Sequence, residues 1–134
     1  MLRCLREWGC AVACGLFLVS CAVGAEHTKD KLATVKKRVD EKKAVLVDVR
    51  EKSEWDAGHV EGAVILPLSE LWKGITEKEL AKRLPQKKIL YTHCAVGVRS
   101  RTAADILLKY KLDVRALKPG YKDLIAAGFK KAKE

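Results

Sequence analysis

Lys88-Ile89-Leu90-Tyr91-Thr92-His93-Cys94-Ala95-Val96-Gly97-Val98-Arg99-Ser100 carries an apolar run into a short glycine-bearing turn and then into a helical pattern, with a cysteine at the join. Lys88 to His93 reads as a buried strand, and Arg99 to about Lys111 as a helix with Ala103, Ile106, Leu107 and Tyr110 on one side. A thiol placed between a buried strand and a helix start meets loop amides and a helix N-terminus, whose partial positive charge favours the thiolate. The turn is therefore suited to holding negative charge on or beside sulfur.

The same alternation extends on both sides. Val45 to Val49 reads as a second buried strand in which Asp48 is the exception, and Ala63 to Leu66 as a third, ended by Pro67. Glu51 to Ala57 fits a helical turn broken by Gly58. Ser69 to Leu84 has Leu71, Ile75, Leu80 and Leu84 at helical spacing, interrupted near Gly74 and Thr76, where Thr76 to Glu79 fits a capping box. Val114 to Leu117 is a last strand, Pro119-Gly120 a turn and Tyr121 to Ala127 a final helix. Strands alternating with helices predict an α/β fold: a small doubly wound parallel sheet flanked by helices, with its site at the carboxyl ends of the strands.

The chain has 134 residues, 49% of them hydrophobic, which is room for one globular domain. Of its five cysteines, Cys4, Cys10, Cys14 and Cys21 lie early and Cys94 stands alone after them, which removes a disulfide framework. The early four sit in an apolar segment without histidine, so no metal site is expected. Residues 1–25 read as a signal: Arg3 and Arg6 open it, and no charge falls between Trp8 and Ala25. Leu18-Val19-Ser20-Cys21 fits a lipoprotein signal with lipidation at Cys21, Val23-Gly24-Ala25 fits ordinary cleavage, and an uncleaved anchor is a third outcome. Each predicts an exported, periplasmic domain with possible membrane attachment through the N-terminus. Residues 26–43, with Leu32, Val35 and Val39, read as an amphipathic helical lead-in to a domain over 44–134.

The net charge is +10, and removing residues 1–25 takes away two arginines and one glutamate, leaving +9. Such a balance favours anionic small molecules or acidic partners. The lysines are scattered, aromatics make up 6% and no reading motif is present, so nucleic acid is not an expected partner.

Two blocks together resemble the rhodanese-like domain family. One is Val45-Leu46-Val47-Asp48-Val49-Arg50-Glu51, continued by Glu54-Trp55, Gly58-His59, Gly62-Ala63 and Pro67; the other is Cys94 to Ser100, followed by Gly120-Tyr121 and Gly128-Phe129. The resemblance runs from about Ala44 to Phe129. It implies a sulfurtransferase in which Cys94 takes the outer sulfur of thiosulfate or a similar anionic donor as a persulfide and passes it to cyanide or a thiol. Ala95, Val96, Gly97, Val98, Arg99 and Ser100 would bind the substrate, no cofactor is implied, and a monomer is expected. Asp48, Arg50 and His59 are then structural residues near the site. Arg99 needs an anionic partner, because an arginine at a helix N-terminus gains nothing from the macrodipole; Arg101 reads as a surface charge. His93 faces away from Cys94 along the strand, which argues against a role as base. Lys118-Pro119-Gly120-Tyr121 departs from the family pattern, in which two glycines precede the aromatic residue.

Two alternatives stand beside this reading. A cysteine phosphatase loop needs five residues between cysteine and arginine, and here there are four, a ring sized for sulfur with a small substituent. A sulfur-carrier or binding module of the same fold would keep Cys94 and show little turnover.

Overall fold

The computed structural model describes residues 24–134. Cys21 and the leader through residue 23 lie outside the described residues. Four strands, β1 (Ala44–Asp48), β2 (Val64–Ile65), β3 (Ile89–His93) and β4 (Val114–Ala116), form one sheet in the order β2-β1-β3-β4, every pair parallel. The helices are α1 (Leu32–Asp40), α2 (Lys52–Ala57), α3 (Leu68–Trp72), α4 (Glu77–Arg83), α5 (Val98–Leu108) and α6 (Tyr121–Ala126). This is the expected doubly wound sheet. Its strand order reverses between β1 and β3, and a crevice at the carboxyl ends of two such strands is where open α/β sheets place ligands.

Alternation along the strands sends side chains to two cores. Val47 and Leu90 face one, with Leu71, Leu80, Ala103, Ala104 and Leu107 from α3, α4 and α5. Leu46 and Tyr91 face the other, with Val35 from α1 and Leu124 from α6. Both faces of the central strands are thus buried, which explains their near-continuous apolar sequence. The interruption near Gly74 separates α3 from α4, and Thr76 starts α4: its hydroxyl accepts from the Glu79 amide at 3.2 Å while the Glu79 carboxylate accepts from the Thr76 amide at 2.9 Å.

The charged run expected to turn helical from about Glu26 does so only at Leu32. Ahead of it the chain is extended, because tertiary partners capture its polar groups. The Thr28 amide donates to the Ala116 carbonyl at 2.8 Å beside β4. The Asp30 carboxylate accepts from the Tyr91 hydroxyl at 2.7 Å, Arg38 at 2.6 Å and Arg115 at 3.0 Å. These contacts, the Tyr91 hydroxyl foremost, hold the Asp30 carboxyl at about 2. Val35 is fully buried, so α1 is part of the packed domain.

Candidate functional site

β1 and β3 end in register, Asp48 beside His93, and the chain then supplies Val49-Arg50-Glu51 from one strand and Cys94 from the other. Cys94 is completely buried. The backbone turns back over it so that the Gly97 amide donates to Sγ at 3.0 Å. Gly97 holds φ at 88°, a left-handed value, and a Cβ there would come within 2.7 Å of the Lys118 carbonyl oxygen. Only glycine meets both conditions without strain. Immediately after it α5 begins, so the expected sequence of strand, loop and helix is present with the helix starting one residue earlier, at Val98.

The second wall comes from α6. The Tyr121 amide donates to the Cys94 carbonyl at 2.9 Å. A Cβ at Gly120 would lie 1.8 Å from the Ala95 carbonyl oxygen, so this glycine is required by close backbone approach. Pro119 stands on the outer side, half-buried, beside a hollow it shares with Leu32, Ala95 and Val96. The single glycine before Tyr121 therefore meets the contact that the loop demands.

The other residues named from sequence divide into three groups. Ala95, Val96 and Val98 are exposed at the rim, Val96 to 77%. Ser100 is buried and its hydroxyl faces the Gly97 carbonyl at 2.9 Å and the Leu117 carbonyl at 2.7 Å, so it braces the loop against β4 and does not face the sulfur. Arg99 is paired within the protein: its guanidinium donates to both Glu54 oxygens, at 2.7 Å and 2.9 Å. Glu54 is the anionic partner that the helix position demanded, and it joins α2 to the start of α5. The Arg99 hydrogen bonds hold the Glu54 carboxyl at about 2, and Glu54 in turn raises Arg99, with the Cys94 sulfur and Glu51 adding smaller attractions.

Asp48 and Arg50 form a buried pair. Asp48 accepts from Arg50 Nε at 3.0 Å and from an Arg50 terminal nitrogen at 2.7 Å, and from the Arg50 amide at 3.0 Å. The same guanidinium donates to the Gly58 carbonyl at 2.8 Å and lies 4.3 Å from the Tyr121 ring centroid. The pair thus ties the end of β1 to the loop after α2 and to α6. His59 stacks on Trp55 at 3.6 Å and has Nδ1 3.0 Å from the Trp55 carbonyl oxygen, a packing role. His93 is buried with both ring nitrogens unpaired, Nε2 lying 4.0 Å from Asp48. Burial pushes it down to about 4, so the ring is neutral. Arg101 is exposed, and its Nε donates to the Ala25 carbonyl at 2.9 Å.

Sequence reading missed Glu54 as the partner of Arg99, and it missed His27. His27 Nε2 lies 2.7 Å from the Gly97 carbonyl oxygen, across 70 residues of chain. Two further hollows open beside the loop. One of about 270 Å³ is lined by Arg50, Glu54, Ala95, Val96, Tyr121 and Lys122; another of about 220 Å³ is lined by His27, Val96, Val98, Arg101 and Lys118 among others. Cationic and apolar side chains share both walls.

Comparison with known proteins fits this geometry. The family model for the rhodanese-like domain matches residues 31–127. The uncharacterised protein YqhL of Bacillus subtilis is 32% identical over 108 residues, 80% of this chain and 81% of that protein. A Schizosaccharomyces pombe protein that bears the name "Putative thiosulfate sulfurtransferase, mitochondrial" is 32% identical over 88 residues, covering 60% of this chain and 62% of its own length. The crystal structure of a rhodanese-related protein from Thermoplasma volcanium superposes with a TM-score of 0.62 at 25% identity, over 84% of this chain and all of that one.

Proposed function

The chain belongs to the rhodanese-like domain family, and on that premise we propose that it is a sulfurtransferase carrying sulfur as a persulfide on Cys94. The observation that carries the reading is the Gly97 amide donating to Cys94 Sγ at 3.0 Å inside a buried turn that opens a helix. A backbone donor there stabilises negative charge on sulfur without any side-chain base.

The Cys94 thiolate attacks the outer sulfur of thiosulfate; a new sulfur–sulfur bond forms, the old one breaks, and sulfite leaves with its electron pair. Cys94 then bears a terminal anionic sulfur. A thiolate or cyanide attacks that sulfur and takes it away, which returns the Cys94 thiolate as leaving group. No net oxidation occurs. Cys94 has no solvent exposure, and the exposed Ala95 and Val96 form the rim that the donor meets first. Arg50 is neutralised by Asp48, so Lys122 gives the neighbouring hollow its positive charge, and Arg99, whose pair with Glu54 is open to water, can turn to a small anionic donor.

The phosphatase alternative loses ground on geometry. Four residues, not five, lie between Cys94 and Arg99, and Gly97 folds the loop back so that its amide meets the sulfur itself at 3.0 Å. The carrier alternative shares the first half of the chemistry and separates by turnover. Thiocyanate production from thiosulfate and cyanide, followed with the mass of Cys94 peptides, tests the reading. Turnover with an added sulfur on Cys94 supports the enzyme, an added sulfur without turnover supports the carrier, and neither, with hydrolysis of an aryl phosphate, overturns both.

We also propose that the protein is exported to the periplasm, either held at the membrane by lipidated Cys21 or released with a free Glu26. Mass spectrometry of the membrane and periplasmic fractions separates the two forms, and a full-length chain confined to the cytoplasm contradicts export.

A further inference from the structure

Residues 25–30 precede the stretch matched by the family model, yet they lie along the outer edge of β4, where His27 pairs in parallel with Ala116, as a strap fastened at both ends. At the outer end the Ala25 amide donates to the Asp105 carboxylate, and the Ala25 carbonyl accepts from Arg101 Nε at 2.9 Å. In the middle Thr28 bonds to Ala116 of β4. At the inner end Asp30 takes hydrogen bonds from Tyr91, Arg38 and Arg115. Between these anchors the His27 side chain is laid on Gly97.

The contact bears on one residue of consequence. Gly97 supplies the amide that points at Cys94 Sγ, and His27 Nε2 lies 2.7 Å from the same residue's carbonyl oxygen. A carbonyl only accepts, so Nε2 carries the proton in this contact. A Cβ on Gly97 would meet the Lys118 carbonyl oxygen at 2.7 Å and His27 Nε2 at 3.1 Å, which places the glycine in a clamp between the two. The other donor to this carbonyl, the Ser100 hydroxyl, has one proton and a second acceptor in the Leu117 carbonyl at a shorter distance. His27 is thus the donor with no competing carbonyl, and it reaches the loop from outside the sheet-and-helix frame.

We propose that His27 is a positioning residue for the sulfur-holding amide of Gly97, and that the strap over residues 25–30 is therefore a working part of the Cys94 site. The mechanism is indirect: the imidazole fixes the carbonyl of Gly97, the left-handed backbone of Gly97 couples that carbonyl to its own amide, and the amide sets the environment of Sγ. The proposal rests on Cys94 being the reacting atom of the proposed function, but not on what it reacts with.

The test uses the full chain with His27→Ala and His27→Gln, the glutamine amide being able to donate to the same carbonyl. Three quantities are read: the rate of sulfur addition to Cys94 from thiosulfate, the rate of Cys94 alkylation by iodoacetamide from peptide mass mapping, and the thermal midpoint. His27→Ala is expected to slow both reactions at Cys94 by about tenfold, the worth of one lost hydrogen bond to the loop. His27→Gln is expected to recover most of that loss although both variants lose similar thermal stability. Equal rates in wild type and His27→Ala overturn the proposal, as does an equal slowing in both variants that tracks the thermal midpoint. Should wild type be alkylated at Cys94 yet never gain sulfur, the proposed function fails while the alkylation series still decides the role of His27.

Discussion

Two arginine–carboxylate pairs flank the Cys94 loop, and they are built for different work. Arg50 and Asp48 are two residues apart at the end of β1, both almost wholly buried, with the carboxylate taking the guanidinium and a backbone amide and the guanidinium also taking a carbonyl. Arg99 and Glu54 are 45 residues apart, join two helices, and keep side-chain exposures of 30% and 35%. A buried pair is expensive to break because whichever partner remains is an uncompensated charge in low dielectric. A pair open to water loses little when broken, because water and ions replace the lost partner. The first is therefore scaffold. The second is the adjustable one, and it is the one that holds the loop arginine.

The comparison breaks first at Asp48. Asp48→Ala leaves Arg50 buried without its partner, and about 3–5 kcal/mol of folding stability is expected to go, measured by urea unfolding. A loss under about 1 kcal/mol would remove the distinction between the pairs. Arg99→Ala is expected to act on the reaction more than on the fold: kcat/KM for thiosulfate falls by about tenfold to a hundredfold, the worth of a charged hydrogen bond to the donor, while stability changes by under about 1 kcal/mol. Equal thermal loss with unchanged kinetics would make Arg99 a clamp only.

Acid should take the two regions apart in separate windows. His93 packs against the buried pair, and its folded value of about 4 lies below its ordinary 6.5. The unfolded chain therefore binds the proton first, and stability falls as pH drops from about 6.5 to about 4. Glu54 is lowered from 4.5 to about 2, so whatever its pair with Arg99 contributes is present above 4.5 and is lost only as pH falls toward 2. His93→Gln should flatten the upper window and leave the lower one; a slope that survives the substitution would assign it elsewhere. The smallest effect belongs to Glu54→Gln, which keeps shape and removes charge, with a stability change within about 1 kcal/mol.

What the sequence conveyed about this site follows the same division. The cysteine turn, the glycine within it and the strand feeding it are local patterns, and the structure places them together at the switch between β1 and β3. Asp48 within an apolar strand signalled a buried partner, and Arg50 lies two residues on. Glu54 and His27 left no such trace, because a contact across 45 or 70 residues imposes no period on either segment. Ser100 read as a loop donor, yet the same hydroxyl turns inward once β4 brings the Leu117 carbonyl beside it. The charged run after Glu26 read as helical from the spacing of Leu32, Val35 and Val39; it is helical from Leu32, but its first residues are not, because Tyr91, Arg38 and Arg115 converge on Asp30. Tertiary partners, which composition does not announce, decided each of these.

The central claim is that Cys94 holds transferable sulfur, and the intact mass of the protein after exposure to thiosulfate and removal of the excess tests it most directly. Wild type is expected to gain the mass of one sulfur atom, mapped to Cys94 and removed by cyanide, and Cys94→Ser to gain none. A wild-type protein that stays at its original mass, or one whose added sulfur persists in Cys94→Ser, would contradict it.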